Sequence, residues 1–169
     1  MQSLFSTRPF LFLLLVSLPA CAGGPPPSVV DGPITIATWP FGRFANEHAI
    51  EAFAAGKSRL DAVELGVREI ERRSSDGSVG LEGRPNAAGY PQLDACIMDG
   101  PGHKAGSVAG LEGIVYPITV ARLVMEQCRH VMLVGEGARW FALEHGVESV
   151  DVGAYTPKKN AWQAGHRPK

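Results

Sequence analysis

The most constraining feature of this chain lies just past its midpoint. Residues 92–99 alternate, with Leu93, Ala95 and Ile97 on one face. Gly100-Pro101-Gly102-His103 follows as a tight turn, and residues 105–111 resume as a second strand built of small side chains. Two strands joined so closely form an antiparallel hairpin. A lone hairpin is marginal in water, so its apolar face needs cover from other elements.

The flanking sequence supplies that cover mostly as helices. Residues 44–55 suit a helix, with Ala45, Ala49 and Phe53 on one stripe and Gly56 as the stop. Ser58 is a good N-cap, and Asp61 three residues on approaches a capping box. In the helix that follows, Leu60, Val63, Val67 and Ile70 share one face, and Glu69, Glu71, Arg72 and Arg73 read as its solvated end. Pro117 fits the first position of a helix reaching about Gln127, with Ile118, Ala121, Val124 and Cys128 on its buried side. Residues 130–134 read as a fully apolar strand, and residues 137–145 as a short helix closed by Gly146. Upstream of all these, residues 33–39 alternate, are rich in β-branched side chains and read as a strand ended by Pro40 and Gly42. Residues 74–90 are loop-like, punctuated by Gly77, Gly80, Gly83, Pro85 and Gly89. The order is strand, two helices, hairpin, helix, strand, helix. This is a mixed α and β domain, layered rather than wound as strict βαβ units.

Composition narrows the function. Lys and Arg number 16 against 17 Asp and Glu, so no cationic field exists to hold nucleic acid or anionic lipid. At 45% apolar residues the chain is too hydrophobic to be disordered. Three cysteines do not make a disulfide scaffold in a chain of 169 residues, and Cys96 and Cys128, each inside an apolar run, read as buried thiols.

The first 22 residues read as an export signal. Arg8 gives a weak basic region, and the nine-residue run 10–18 is too short for a membrane-spanning helix, which needs ~20 residues. Two exits follow: Ala20-Cys21-Ala22 fits a cleavage site, and Leu18-Pro19-Ala20-Cys21 resembles a lipobox that would lipidate Cys21. The expected location is therefore the periplasm or, through a lipid anchor, the outer membrane. Residues 23–32 read as a linker, 33–150 as the folded domain, and 151–169 as a polar tail.

Familiar catalytic motifs fail in detail. Ala55-Gly56-Lys57-Ser58 lacks the upstream glycine of a phosphate loop, since Glu51 stands there, and it lies between helices. Gly135-Glu136-Gly137 follows a strand, but Trp140 holds the third glycine position of a dinucleotide loop. Gly77-Ser78-Val79-Gly80 is no nucleophile elbow, because Asp76 stands where glycine is required. The five histidines show no metal-ligand spacing, and neither metal nor cofactor is expected.

An ordered series of motifs carries more. Thr38-Trp39-Pro40-Phe41 is followed by Leu60-Asp61-Ala62-Val63-Glu64, Asp76-Gly77-Ser78-Val79-Gly80, Gly83-Arg84-Pro85 and Leu93-Asp94-Ala95-Cys96-Ile97-Met98-Asp99-Gly100. Then come Val120-Ala121-Arg122, Val124-Met125-Glu126 and His130-Val131-Met132-Leu133-Val134-Gly135-Glu136-Gly137-Ala138. This series resembles the glycosylasparaginases (aspartylglucosaminidases) of the N-terminal nucleophile hydrolase superfamily, over residues 34–146. The Thr-Trp-Pro-Phe start resembles that branch rather than the plant-type asparaginase and isoaspartyl-peptidase branch, whose His-Gly-Gly-Ala-Gly run is missing.

The resemblance implies an αββα sandwich, of which this chain holds the N-terminal half. It implies a precursor that cuts itself before a threonine in an Asp-Thr-Ile/Val-Gly motif, and an (αβ)2 heterotetramer. That threonine attacks the side-chain amide of an N4-glycosylated or plain asparagine while its own α-amine acts as base. Thr7, Thr35, Thr38, Thr119 and Thr156 all lie outside such a motif. The sequence is thus expected to be the α-chain portion, inactive without the β chain of the same precursor. Carried over residue by residue, Trp39 and Phe41 match substrate-pocket residues, and Ser78 matches a serine that orients the nucleophile. The plainer readings are a core tryptophan beside a turn and a serine turn in a Gly-rich loop. Two departures stand out: Glu82 where the family prefers glycine, and Tyr116 where asparagine commonly precedes the proline. The rival to an amidohydrolase portion is a non-catalytic envelope lipoprotein or binding module that keeps the pocket half of this fold.

Overall fold

The computed structural model describes residues 31–73, 77–87 and 89–151. The chain divides into two units, Met1–Asp31 and Gly32–Lys169, and every element below belongs to the second. The export signal, most of the linker and nearly all of the polar tail lie outside the described residues.

The elements are α1 (Gly42–Ala54), α2 (Arg59–Arg73), β1 (Leu93–Asp99), β2 (Lys104–Leu111), α3 (Pro117–Gln127), β3 (Met132–Val134) and α4 (Gly135–Glu144). One sheet runs in the order β1-β2-β3. The hairpin forms as the sequence dictates, β1 pairing antiparallel with β2 from Asp99↔Lys104 to Leu93↔Leu111. A bulge between Leu93 and Ala95 breaks the ladder, and there the Asp94 carboxylate accepts the Gly110 N–H at 2.8 Å. β3 lies parallel to β2, so β2, α3 and β3 make one βαβ unit inside the layered fold.

Gly106 decides how the main layer packs. It sits in β2 opposite Ile97, and a Cβ there would overlap the Ala121 carbonyl and the Met125 amide of α3. The helix therefore lies directly on the strand backbone. Around this contact Ile97, Val108, Leu111, Ile118, Val120 and Val124 close the core, joined by Ala138 and Ala142 of α4. α1 and α2 pair through a second, small-residue cluster of Ala49, Ala52 and Ala62. The capping box at the start of α2 is complete, the Ser58 N–H donating to Asp61 and the Asp61 N–H to Ser58 Oγ, both at 3.1 Å.

Among the described residues only one face of the sheet is covered. On the other, Cys96, Ser107 and Met132 stand in one row across the three strands, with Ala109 beside Val134 and Met98 beside Ala105. Met98 is 69% exposed and Val134 60%. Among the described residues no element packs on this face.

Several expectations are corrected. Residues 33–39 form no strand: among the described residues no strand pairs with them to supply a hydrogen-bond ladder, and Ile34 and Ile36 are exposed. Val63 is 47% exposed rather than buried. α2 meets α1 through Ala62 and Gly66, whose missing side chain admits the Ala45 carbonyl, a small-residue seam that counting large apolar residues overlooks. The end of α2 is solvated only in part: Arg72 and Arg73 are exposed, but Glu69 and Glu71 are buried. Both cysteines are free, but Cys96 is exposed on the bare face and Cys128 half-buried. The strand read over 130–134 shrinks to three residues at an edge, with Met132 and Val134 exposed.

Candidate functional site

Trp39 and Phe41 sit where the chain turns into α1. The Gly42 N–H donates to the Trp39 carbonyl at 2.9 Å and the Phe44 N–H to the Phe41 carbonyl at 3.1 Å, so Trp39–Gly42 is a tight turn flowing into the helix. Gly42 is required there, because a Cβ would overlap the Ala37 side chain. Trp39 is left 65% exposed. It walls a groove of about 590 Å³ with Pro40 and the α1 side chains Arg43, Asn46, Glu47 and Ile50. A rigid aromatic plane beside amide and charged groups suits a ligand with both apolar and polar parts. Among the described residues Trp39 is therefore not part of a core. Phe41 is half-buried at the N-cap position of α1 and does not line that groove.

Ser78 is exposed in the Gly-rich loop that follows α2. Gly77 and Gly80 on either side have φ of 70° and 74°, conformations that glycine adopts without strain. Gly80 is pressed on α2, since a Cβ there would overlap the Glu71 carbonyl. The Gly83 N–H closes the turn onto the Gly80 carbonyl at 2.9 Å, and the departure at Glu82 is absorbed because that side chain is exposed. Trp39 and Ser78 thus lie on separate surface features: Ser78 does not line the Trp39 groove.

Beneath the loop lie two carboxylates with opposite electrostatics. Glu69 accepts from Arg73 at 2.5 Å and Arg72 at 2.8 Å, with His48 Nε2 at 3.9 Å. Those arginine hydrogen bonds hold its carboxyl down at about 2. Glu71, two residues on, is 5% exposed, and its Oε1 accepts the Ile118 N–H at 3.0 Å while Oε2 is buried with no hydrogen-bond partner among the described residues. Burial pushes its carboxyl up to about 7, against the opposing pull of the Ile118 N–H and Arg68. The arginines three and four residues after Glu69 were a legible signal for the first pairing. Nothing local signals the second, whose partner lies 47 residues away.

Arg122 ties α3 to α2. It donates to Asp61 at 2.6 Å, Glu64 at 2.8 Å and Glu126 at 2.9 Å. The capping bond from Ser58 and then Arg122 hold Asp61 down at about 2. Thr119 Oγ1 donates to Glu64 at 2.6 Å, and the same carboxylate accepts from Arg122, so the three groups tie α3 to α2. Tyr116, the departure before Pro117, has a use here: the Arg68 guanidinium lies 4.0 Å from its ring centroid. Arg122→Ala is expected to cost about 2 kcal/mol in a urea melt, because it strands partly buried carboxylates, while surface Arg43→Ala changes stability by less than ~0.5 kcal/mol. Among the described residues no group of three or more His, Cys, Asp or Glu is placed to hold a metal ion.

A family model described as Asparaginase matches residues 30–169. An N(4)-(beta-N-acetylglucosaminyl)-L-asparaginase of Elizabethkingia miricola is 50% identical over 120 residues, 71% of this chain and 35% of that protein. The Rattus norvegicus protein of the same name is 40% identical over 151 residues, 89% of this chain and 42% of that protein. An isoaspartyl peptidase of Escherichia coli is 44% identical over 100 residues, 57% of this chain and 30% of its own length. The chain therefore spans well under half the length of these relatives.

Proposed function

The chain belongs to the asparaginase family of amidohydrolases, and we propose on that premise that it is the α-chain portion of a glycosylasparaginase. The reaction proposed is hydrolysis of the side-chain amide of asparagine, N4-glycosylated or plain. The observation that carries this reading is the bare sheet face. Met98, Met132 and Val134 leave apolar surface in water, and a second sheet packed there would bury it as the other half of a four-layered sandwich.

In this reading the β portion of the same precursor brings the second sheet and the N-terminal threonine. The threonine hydroxyl attacks the amide carbon, and its α-amine, with an unperturbed pKa of ~7.7–8.0, takes the proton near neutrality. Ser78 presents its hydroxyl from the Gly-rich loop to orient that threonine. Trp39 supplies the wall against which the substrate packs. Without the β portion the chain binds at most and does not hydrolyse. The intact assembly would be an (αβ)2 heterotetramer, exported to the periplasm or anchored by Cys21.

A chimera tests this. The matching 120 residues of this chain replace those of the Elizabethkingia miricola relative. The expected result is a chimera that hydrolyses N4-(beta-N-acetylglucosaminyl)-L-asparagine. Within it Trp39→Ala should raise KM about tenfold with a smaller change in kcat, the pattern of lost substrate binding. A folded chimera without hydrolase activity would contradict the proposal.

A further inference from the structure

We propose that the groove between α1 and α2, which Tyr116 also lines, binds a small molecule that joins a phosphate-like oxyanion to an apolar body. This groove shares only Glu51 with the one beside Trp39. The proposal does not rest on the amidohydrolase reading.

The groove holds about 430 Å³. Its apolar lining includes Ala52 of α1 and Leu65 of α2, and Leu65 is 41% exposed. Three cations reach it from two elements. Arg68 and Arg72 stand one turn apart on α2 and so share a face. Lys57 comes from the turn after α1, where its own N–H donates to the Ala52 carbonyl at 3.0 Å and fixes the start of its side chain. The Arg68 guanidinium lies 4.0 Å from the Tyr116 ring centroid, which holds it in place.

The acids nearby do not use up these cations. Glu69 is claimed by Arg72 at 2.8 Å, by Arg73 at 2.5 Å and by His48 at 3.9 Å, so one carboxylate serves three bases. Arg68 has Glu64 at 3.8 Å, but that carboxylate already accepts from Arg122 at 2.8 Å and Thr119 at 2.6 Å. Lys57 has no ion pair among the described residues. Glu51 lines the groove from α1 and opposes an anion there, and the three cations outweigh it. Planar guanidinium forks beside an ammonium suit an oxyanion. Leu65 and Ala52 give an attached apolar group a place out of water. The occupant is small because 16 Lys and Arg stand against 17 Asp and Glu in the whole chain. A polyanion or an anionic membrane would meet that balance everywhere else, whereas a compact anion meets the groove alone.

The test titrates the whole chain with phenyl phosphate, inorganic phosphate and phenol at fixed ionic strength, following backbone amides and arginine Nε–H groups by NMR. Phenyl phosphate is expected to shift Lys57, Leu65, Arg68 and Arg72 together and saturably, with a Kd of about 1 mM or tighter, while Val108 stays still. Inorganic phosphate should shift the same cations about tenfold more weakly, having no apolar body. Phenol should leave them unmoved. Lys57→Gln and Arg72→Gln, on separate elements, should each weaken phenyl phosphate about fivefold or more, and Arg43→Gln, outside the groove, should not. Shifts that rise linearly without saturating, or that scatter over the surface, would overturn the proposal. So would equal responses to phenol and phenyl phosphate, or to phenyl phosphate and inorganic phosphate. If one variant does not fold, the other and the wild-type titrations still decide. No readout involves hydrolysis, so this proposal and the amidohydrolase reading fail separately.

Discussion

Gly106→Val should cost at least ~3 kcal/mol and leave the chain largely unfolded in mild urea. Two effects oppose each other at this position. Valine favours a strand over glycine by up to ~1 kcal/mol, which taken alone predicts stabilisation. Against that, the first carbon of any side chain would enter space held by the Ala121 carbonyl and the Met125 amide. These are backbone atoms of a helix packed into the core, so neither yields as a flexible side chain would. To make room α3 must lift off β2, uncovering Val120, Ala121 and Val124, all fully buried. The packing loss exceeds the propensity gain, and a domain with a total stability of about 5–15 kcal/mol feels it strongly. Gly106→Ala should show part of the same loss. Gly100→Ala, with nothing within 4 Å of the new methyl, is the control and should change stability by less than ~0.5 kcal/mol. Equal urea midpoints for Gly106→Val and wild type would refute the close α3–β2 contact.

The second large effect is on pH dependence. Glu71 has a folded-state pKa raised from 4.5 to about 7, so the folded protein holds this proton more tightly than the unfolded chain. The stabilisation tied to the proton is fully present below about pH 4.5 and is lost as pH rises through about 7. At 1.36 kcal/mol per pK unit the loss amounts to roughly 3 kcal/mol by pH 8.5. Glu71→Gln removes the ionisation, so relative to wild type it should gain about 2–3 kcal/mol between pH 4.5 and 8.5. Glu69 and Asp61 act in the opposite sense, both held at about 2, and their contribution is lost only as pH falls below about 4. Urea melts of wild type and Glu71→Gln at the two pH values measure the difference. A constant difference across the range would mean that Glu71 does not titrate between them.

The elements that the sequence made legible share one property: their cause is local. The hairpin follows from alternation around Gly100-Pro101-Gly102-His103, α3 from Pro117 and a clean apolar stripe, and the start of α2 from Ser58 and Asp61. What was illegible depends on partners distant in sequence or absent. Residues 33–39 have strand composition, but among the described residues no strand pairs with them. Val63 looks like a core residue until Ala62 and Gly66 are seen to make the closer seam. Cys96 and Met132 carry core chemistry on a face that nothing described here covers. For the site, Trp39 was legible as an aromatic beside a turn, and it stands exposed at the edge of a groove. Glu71 was misread as solvent-facing because its one hydrogen-bond donor belongs to Ile118.

The most direct test of an α-chain portion is the coding DNA past codon 169, read in all three frames for about one domain length, roughly 100–200 codons. An Asp-Thr-Ile/Val-Gly motif is expected there, followed by sequence able to supply a second sheet for the face of Met98, Met132 and Val134. If no frame holds that motif, the α-chain reading is contradicted and a binding module without hydrolase chemistry takes its place.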